Sequence, residues 1–124
     1  MEDNILTGEI IGAAIEVHRH LGPGLLESAY EECMMHELRH RKLSVKRQLE
    51  LPLTYKGIQL NVNYRIDLLV NDLVIIELKS VQRIENIHKA QLLTYLKLAK
   101  LRHGLLLNFN VPIMKQGICR LVNG

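Results

Sequence analysis

The chain has no tryptophan, a single phenylalanine and four tyrosines. Proteins that grip single strands by stacking need several aromatic faces, so this composition argues against a broad stacking platform. Cysteine is nearly as scarce. Cys33 and Cys119 stand singly, without the spacing of a zinc site or a disulfide framework, and read as buried reduced thiols. No apolar run approaches the roughly 18 residues of a membrane span. The start, Met1-Glu2-Asp3-Asn4, carries acid where a secretory signal needs base. A soluble, cytoplasmic protein is expected. No glycine-rich phosphate loop is present, because Gly22-Pro23-Gly24 lacks the Lys-Ser/Thr that follows such a loop, which argues against coupling to ATP. Proline-, glycine- and serine-rich tracts and internal repeats are also missing. With 48% hydrophobic residues in 124, the chain is expected to fold throughout as one domain, 1–124.

What remains is a pattern that changes period twice. Leu6, Ile10, Ala13, Ala14, Val17 and Leu21 keep helical spacing, with Asp3 or Asn4 as the expected N-cap. Gly22-Pro23-Gly24 must break that helix into a turn. A second helix is predicted from about Leu25 to Lys42, ending in the cations that suit a helix C-terminus. From Val45 the pattern alternates, and strands are predicted over 45–53, 60–70 and 73–79. Reversals at Lys56-Gly57 and Asn71-Asp72 give an antiparallel meander. A third helix follows from about Ile84 to Leu101 with Gly104 as its stop. The apolar run Leu105-Leu106-Leu107 suits a strand covered on both faces, and a last strand is predicted over 117–122. The order is ααβββαββ.

The chemistry is concentrated in the middle strands. Val62, Tyr64, Ile66 and Leu68 are apolar and alternate with Asn61, Asn63, Arg65 and Asp67; Val74, Ile76 and Leu78 alternate with Glu77 and Lys79. Opposed residues of an antiparallel pair share a face, so even must pair with even. A two-residue Asn71-Asp72 loop would pair Asp67 with Ile76 and fail this requirement. The parity therefore predicts a three-residue connection from Asn71 to Leu73, or an equivalent bulge, that sets Asp67 across from Glu77. Two facing carboxylates repel, and a divalent cation is the usual device that keeps both ionised. Lys79 points from the same face and can approach a water or a phosphoryl oxygen. The competing reading is a set of solvated charges with a weak Glu77–Lys79 ion pair. Against it stands the stretch from Leu73 to Leu78, apolar except for one carboxylate.

Asp67 followed by Glu77-Leu78-Lys79 on a hairpin flanked by helices resembles the PD-(D/E)xK nuclease superfamily, although Ile66-Asp67 stands where the first motif has Pro-Asp. Gly24-Leu25-Leu26-Glu27-Ser28-Ala29-Tyr30 matches the motif of the GxxExxY protein family, a branch assigned to that superfamily. The likeness extends to Gln48, to Tyr64-Arg65-Ile66-Asp67, to Gln91-Leu92-Leu93-Thr94-Tyr95 and to Gly104 through Phe109. It implies an α/β, restriction-endonuclease-like fold with a mixed central sheet flanked by helices. Asp67 and Glu77 would bind Mg²⁺, or Mn²⁺ in its place, and Lys79 would activate the attacking water. Glu27 matches a helical glutamate that joins the metal site in many members, and Gln91 and Tyr95 match a Gln-x-x-x-Tyr pair that lies beside it in exonuclease-like members. Tyr30, Gln48, Arg65, His88 and Tyr95 form a second tier of candidates. Buried or surface side chains bonded to the backbone are the competing readings for Gln91, Tyr95 and His88, and an exposed surface glutamate is the competing reading for Glu27. His18 and His20 equally suit a helix C-terminus.

The function so implied is Mg²⁺-dependent hydrolysis of nucleic acid, DNA ahead of RNA. The alternative is a catalytically silent module that binds nucleic acid or protein on the same scaffold. The net charge of +3 permits a polyanionic partner without requiring one. Arg39, Arg41, Lys42, Lys46 and Arg47 are the candidate phosphate grip, with a solvated helix end as the competing reading. Apolar strand edges leave room for a homodimer or a partner protein.

Overall fold

A computed structural model describes residues 2–124; Met1, the first residue of the acidic start, lies outside them. Helix α1 (Asp3–Leu21) begins without a side-chain cap, and Gly22 and Gly24, both at positive φ, turn the chain into α2 (Glu27–His40). Strand β1 (Val45–Leu51) leads to a two-stranded hairpin, β2 (Thr54–Tyr55) and β3 (Ile58–Gln59). Lys56 and Gly57 close that hairpin with positive φ at both central residues, the geometry that matches strand twist. Strand β4 (Tyr64–Val70), β5 (Val74–Lys79), α3 (Asn86–Ala99), β6 (His103–Asn108) and β7 (Ile118–Val122) complete the chain, with a single 3₁₀ turn at Met114–Gly117 before β7.

The main sheet runs β1-β4-β5-β6-β7 and is mixed, because β5 and β6 are parallel and α3 is the crossover between them. Helices α1 and α2 cover one face through Leu6, Ile10, Tyr30, Met34 and Leu38 against Leu68, Val70, Ile76, Leu105 and Leu107. Helix α3 covers the other through Leu92, Tyr95 and Leu96 against Leu69, Ile75 and Leu106. Leu105 and Leu107 therefore face one layer and Leu106 the other, as a run of three leucines in a doubly covered strand requires. No helix among the described residues is long and apolar enough to cross a membrane.

Two expectations at element ends differ. Lys100, in the left-handed conformation (φ 58°), stops α3, and Gly104 sits inside β6, where a Cβ would meet Leu92 at 3.0 Å. That glycine lets the helix approach the sheet rather than ending it. Leu60 and Val62 lie outside any strand and are exposed, because the β2–β3 hairpin takes up the chain that was expected to extend β4.

Candidate active site

The β4–β5 connection decides which side chains meet. Leu73 N–H donates to the Val70 carbonyl, and Asn71 and Asp72 both have positive φ, so the turn itself spans two residues. The strands nevertheless pair Val70 with Val74, Leu69 with Ile75 and Leu68 with Ile76, which leaves Leu73 as a bulged extra residue. Even pairs with even, and continuing the register sets Asp67 opposite Glu77.

At that level the ladder stops being made by the backbone alone. Asp67 N–H donates to Glu77 Oε2 at 2.8 Å, and Leu78 N–H donates to Asp67 Oδ2 at 2.8 Å. On the other side of β4, β1 pairs regularly on both sides of Gln48 but not at it, and Gln48 takes φ +49°. Asp67 thus lies where both neighbouring ladders are interrupted. The alternation expected for β4 breaks at the same place: Leu68 packs with the α1–α2 layer, whereas Ile66 packs with Leu51, Tyr95 and Leu96 on the α3 side. The strand is rolled at this point, and each of the two carboxyls bonds a backbone N–H of the opposite strand, which places both in the gap between β4 and β5.

The electrostatics follow from that burial. Glu77 is 5% exposed, and its carboxyl is pushed up to about 8, by desolvation first and by the charge of Asp67 second. Asp67 is also raised, by desolvation, with Glu31 and Glu27 acting in the same direction; the Leu78 amide and the Lys79 charge oppose this. Lys79 likewise pulls Glu77 downward. It sits at the end of β5 beside Asn108 of β6, which is buried and ties the following segment through Val81 N and Val81 O.

Glu27 is the first residue of α2, and its Oε2 accepts from Ser80 N at 3.3 Å, while Ser80 Oγ donates to the Leu25 carbonyl at 2.7 Å. These bonds fasten the end of β5 to the start of α2, so the charge of Glu27 reaches both Asp67 and Glu77. Tyr30 acts one step further back. Its ring is fully buried and stacked on Phe109 at 4.4 Å, its hydroxyl donates to Gly22 O and accepts from Leu25 N, and it thereby holds the glycine turn that delivers Glu27.

A feature with no counterpart in the sequence reading is Glu31, 7% exposed on α2. Its Oε2 accepts from Arg47 Nε and Nη2, and its Oε1 accepts from Gln48 Nε2 at 2.6 Å; the same Gln48 nitrogen lies 3.5 Å from Asp67 Oδ1. Gln48 therefore bridges α2 to Asp67. The available signal was spacing: Glu27 and Glu31 are one helical turn apart and share a face.

The remaining candidates surround the pair. Tyr95 is nearly buried, edge-on to Tyr64 with ring centroids 6.2 Å apart, and burial together with the charges of Glu77, Tyr64 and Asp67 holds its hydroxyl in the neutral form. Gln91 lines a cleft of about 590 Å³ that also reaches Lys79, Tyr64 and Tyr95. His88 lines it too, but its Nδ1 accepts from Glu85 N at 2.9 Å and so starts α3. Arg65 is exposed and faces Glu50 across β1–β4. His18 bonds Val111 O and His20 bonds Glu16, so their ring nitrogens are used at the end of α1. Of the expected basic grip, Arg47 is taken by Glu31 and Glu32, Arg41 by Glu9 and Glu37, and Lys46 by Asp72. Carboxylates on α1, on α2 and in the β4–β5 turn neutralise cations that the sequence presented as free.

The PD-(D/E)XK nuclease superfamily model matches residues 4–121. The chain belongs to this superfamily. Its three helices and mixed five-stranded sheet are the restriction-endonuclease-like arrangement. Searches of curated proteins and of solved structures return no match.

Superfamily nucleases typically use a divalent metal, and the donor chemistry here fits a hard cation. Asp67 and Glu77 each commit one oxygen to a backbone amide, the second Asp67 oxygen has only the long 3.5 Å contact from Gln48, and a cation would offset the desolvation and the repulsion by Asp67 that together raise Glu77. Among the described residues no three His, Cys, Asp or Glu side chains gather into a metal-binding group. Two carboxylates completed by water and substrate oxygens is therefore the mode the residues support, which is how Mg²⁺ is commonly held.

Proposed function

We propose that the protein is a Mg²⁺-dependent nuclease that hydrolyses phosphodiester bonds, acting on DNA in preference to RNA, and that it belongs to the GxxExxY branch through Gly24, Glu27 and Tyr30. The observation that carries the reading is the facing pair, Asp67 and Glu77, turned into the gap between β4 and β5, with the charge of Lys79 acting on both. A buried Glu77 beside a half-buried Asp67 is costly, and neither is in an ion pair among the described residues.

When bound, the cation would polarise the scissile phosphate and acidify a water. Asp67 and Glu77 would hold it, with Glu27 on the outer side. Lys79 places positive charge where negative charge grows on the phosphoryl oxygens, and it orients the water that forms the new P–O bond as the ester P–O bond breaks. Gln48 keeps Asp67 in place from Glu31. Gln91 faces the cleft with an amide suited to a phosphate or water contact.

The test is cleavage of linear, circular, branched and single-stranded DNA, and of RNA, with Mg²⁺ or Mn²⁺. Glu77→Ala and Lys79→Ala are each expected to remove at least a hundredfold of activity. Activity surviving in Glu77→Ala would overturn the assignment. Nucleic-acid binding with no metal-dependent cleavage of any substrate would mark a silent binding module instead.

A further inference from the structure

The cleft beside the carboxylate pair has a composition that the chemistry at phosphorus does not require. One wall is Tyr64 at the start of β4, edge-on to Tyr95. A stripe along α3 also lines the cleft, with Ile87, Ala90, Thr94 and Leu98 recurring at helical spacing, and Ile87 is 71% exposed. Gln91 and Thr94 put an amide and a hydroxyl among these apolar groups. Lys79 lines the cleft and its charge also acts on Asp67 and Glu77, so the cleft lies next to the carboxylate pair.

We infer that this cleft is a subsite for an unpaired nucleobase flanking the scissile phosphate, and that the substrate is a single-stranded or frayed strand rather than intact duplex. The inference rests on the nuclease reading for the position of the phosphate. Three requirements lead to it. The occupant must carry an anion to meet Lys79 and an apolar, flat body to lie against Tyr64 and the α3 stripe. It must also offer edge hydrogen bonds to Gln91 and Thr94, which an aliphatic ligand would not. A nucleotide satisfies all three, and a volume of about 590 Å³ lies in the range of pockets that hold small organic bodies. A base inside a duplex cannot reach such walls, because it must first leave the stack. The low aromatic content of the chain fits a single subsite rather than a platform.

The experiment measures binding by fluorescence anisotropy in EDTA for a labelled single strand, the same strand with consecutive abasic positions, and the blunt duplex. It is repeated with Ala90→Leu, which narrows the cleft from an exposed helix position without adding an aromatic face and leaves Asp67, Glu77 and Lys79 unsubstituted. The single strand is expected to bind on the order of tenfold tighter than the abasic strand, the effect of one stacked base. Ala90→Leu is expected to shrink that advantage, narrowing the gap between the single strand and the abasic strand. Equal affinity for all three nucleic acids, or no binding of any, overturns the subsite. The abasic strand gives this answer without a protein variant, so a misfolded Ala90→Leu leaves the test intact. Cleavage assays with Mg²⁺ separate the two readings: cleavage indifferent to abasic positions keeps the nuclease and removes the subsite. Base-dependent binding without cleavage keeps the subsite and removes the nuclease.

Discussion

Glu77→Gln should stabilise the metal-free protein at alkaline pH and leave it nearly unchanged at acid pH. Glutamine keeps an oxygen to accept the Asp67 amide, which is 2.8 Å from the carboxyl, and removes only the charge. The folded carboxyl titrates at about 8, against 4.5 for the free group. Below 4.5 both folded and unfolded chains hold the proton, and the full stability is present. Between 4.5 and about 8 the unfolded chain releases it while the folded chain keeps it, so stability falls as pH rises and the contribution is gone above about 8. The interval corresponds to about 5 kcal/mol for an isolated group. Asp67 titrates with it, so the pair shares the effect, and roughly 2 to 5 kcal/mol is expected. Urea denaturation in EDTA at pH 5, 7 and 8.5 reads it out: the parent should lose markedly more stability across the series than Glu77→Gln, in which Asp67 keeps its own desolvation. Parallel slopes for the two proteins would refute the account of a buried, repelled carboxyl.

Three further outcomes follow from the same geometry. Millimolar Mg²⁺ or Mn²⁺ should raise the melting temperature of the parent at pH 8 and leave Asp67→Ala unmoved; an equal rise in both would place the cation elsewhere. Gln48→Ala should be about 1 kcal/mol less stable than Gln48→Gly by urea denaturation, the reverse of the usual order in strands, because the backbone at Gln48 is at φ +49° and both variants lose the same side chain. Tyr30→Phe should lose about 1 to 3 kcal/mol, since Gly22 O and Leu25 N both give up the hydroxyl partner while the ring still stacks on Phe109.

Much of the architecture was legible because periodicity reports burial. The helix over 3–21 and the strand at Leu105-Leu106-Leu107 needed nothing beyond the spacing of their apolar residues. The odd connection between β4 and β5 followed from parity, and the bulged Leu73 supplies it. Element ends were less legible. Lys100 stops α3 by a left-handed conformation that lysine does not advertise, and Gly104 serves packing against Leu92. The charged residues were least legible, because a sequence does not show which acid will neutralise which base. Arg47 reads as a phosphate contact until Glu31, sixteen residues earlier and on another element, is found against it.

The carboxylate pair shows why parity alone was insufficient. An undistorted β4 that kept Asp67 on one face would also have kept Ile66 and Leu68 together on the other, yet these two pack into different layers. The roll that separates them requires both neighbouring ladders to release Asp67 at once. Gln48 releases it on one side by leaving the extended region, and Glu77 releases it on the other by taking the Asp67 amide with its side chain. Between β4 and β5 the Asp67 and Leu78 amides then take the Glu77 and Asp67 carboxyls as acceptors. The irregularity and the chemistry therefore share one origin: a buried Glu77 and a half-buried Asp67 accept from the backbone of the opposite strand, and this holds them in a gap that a hard cation can enter.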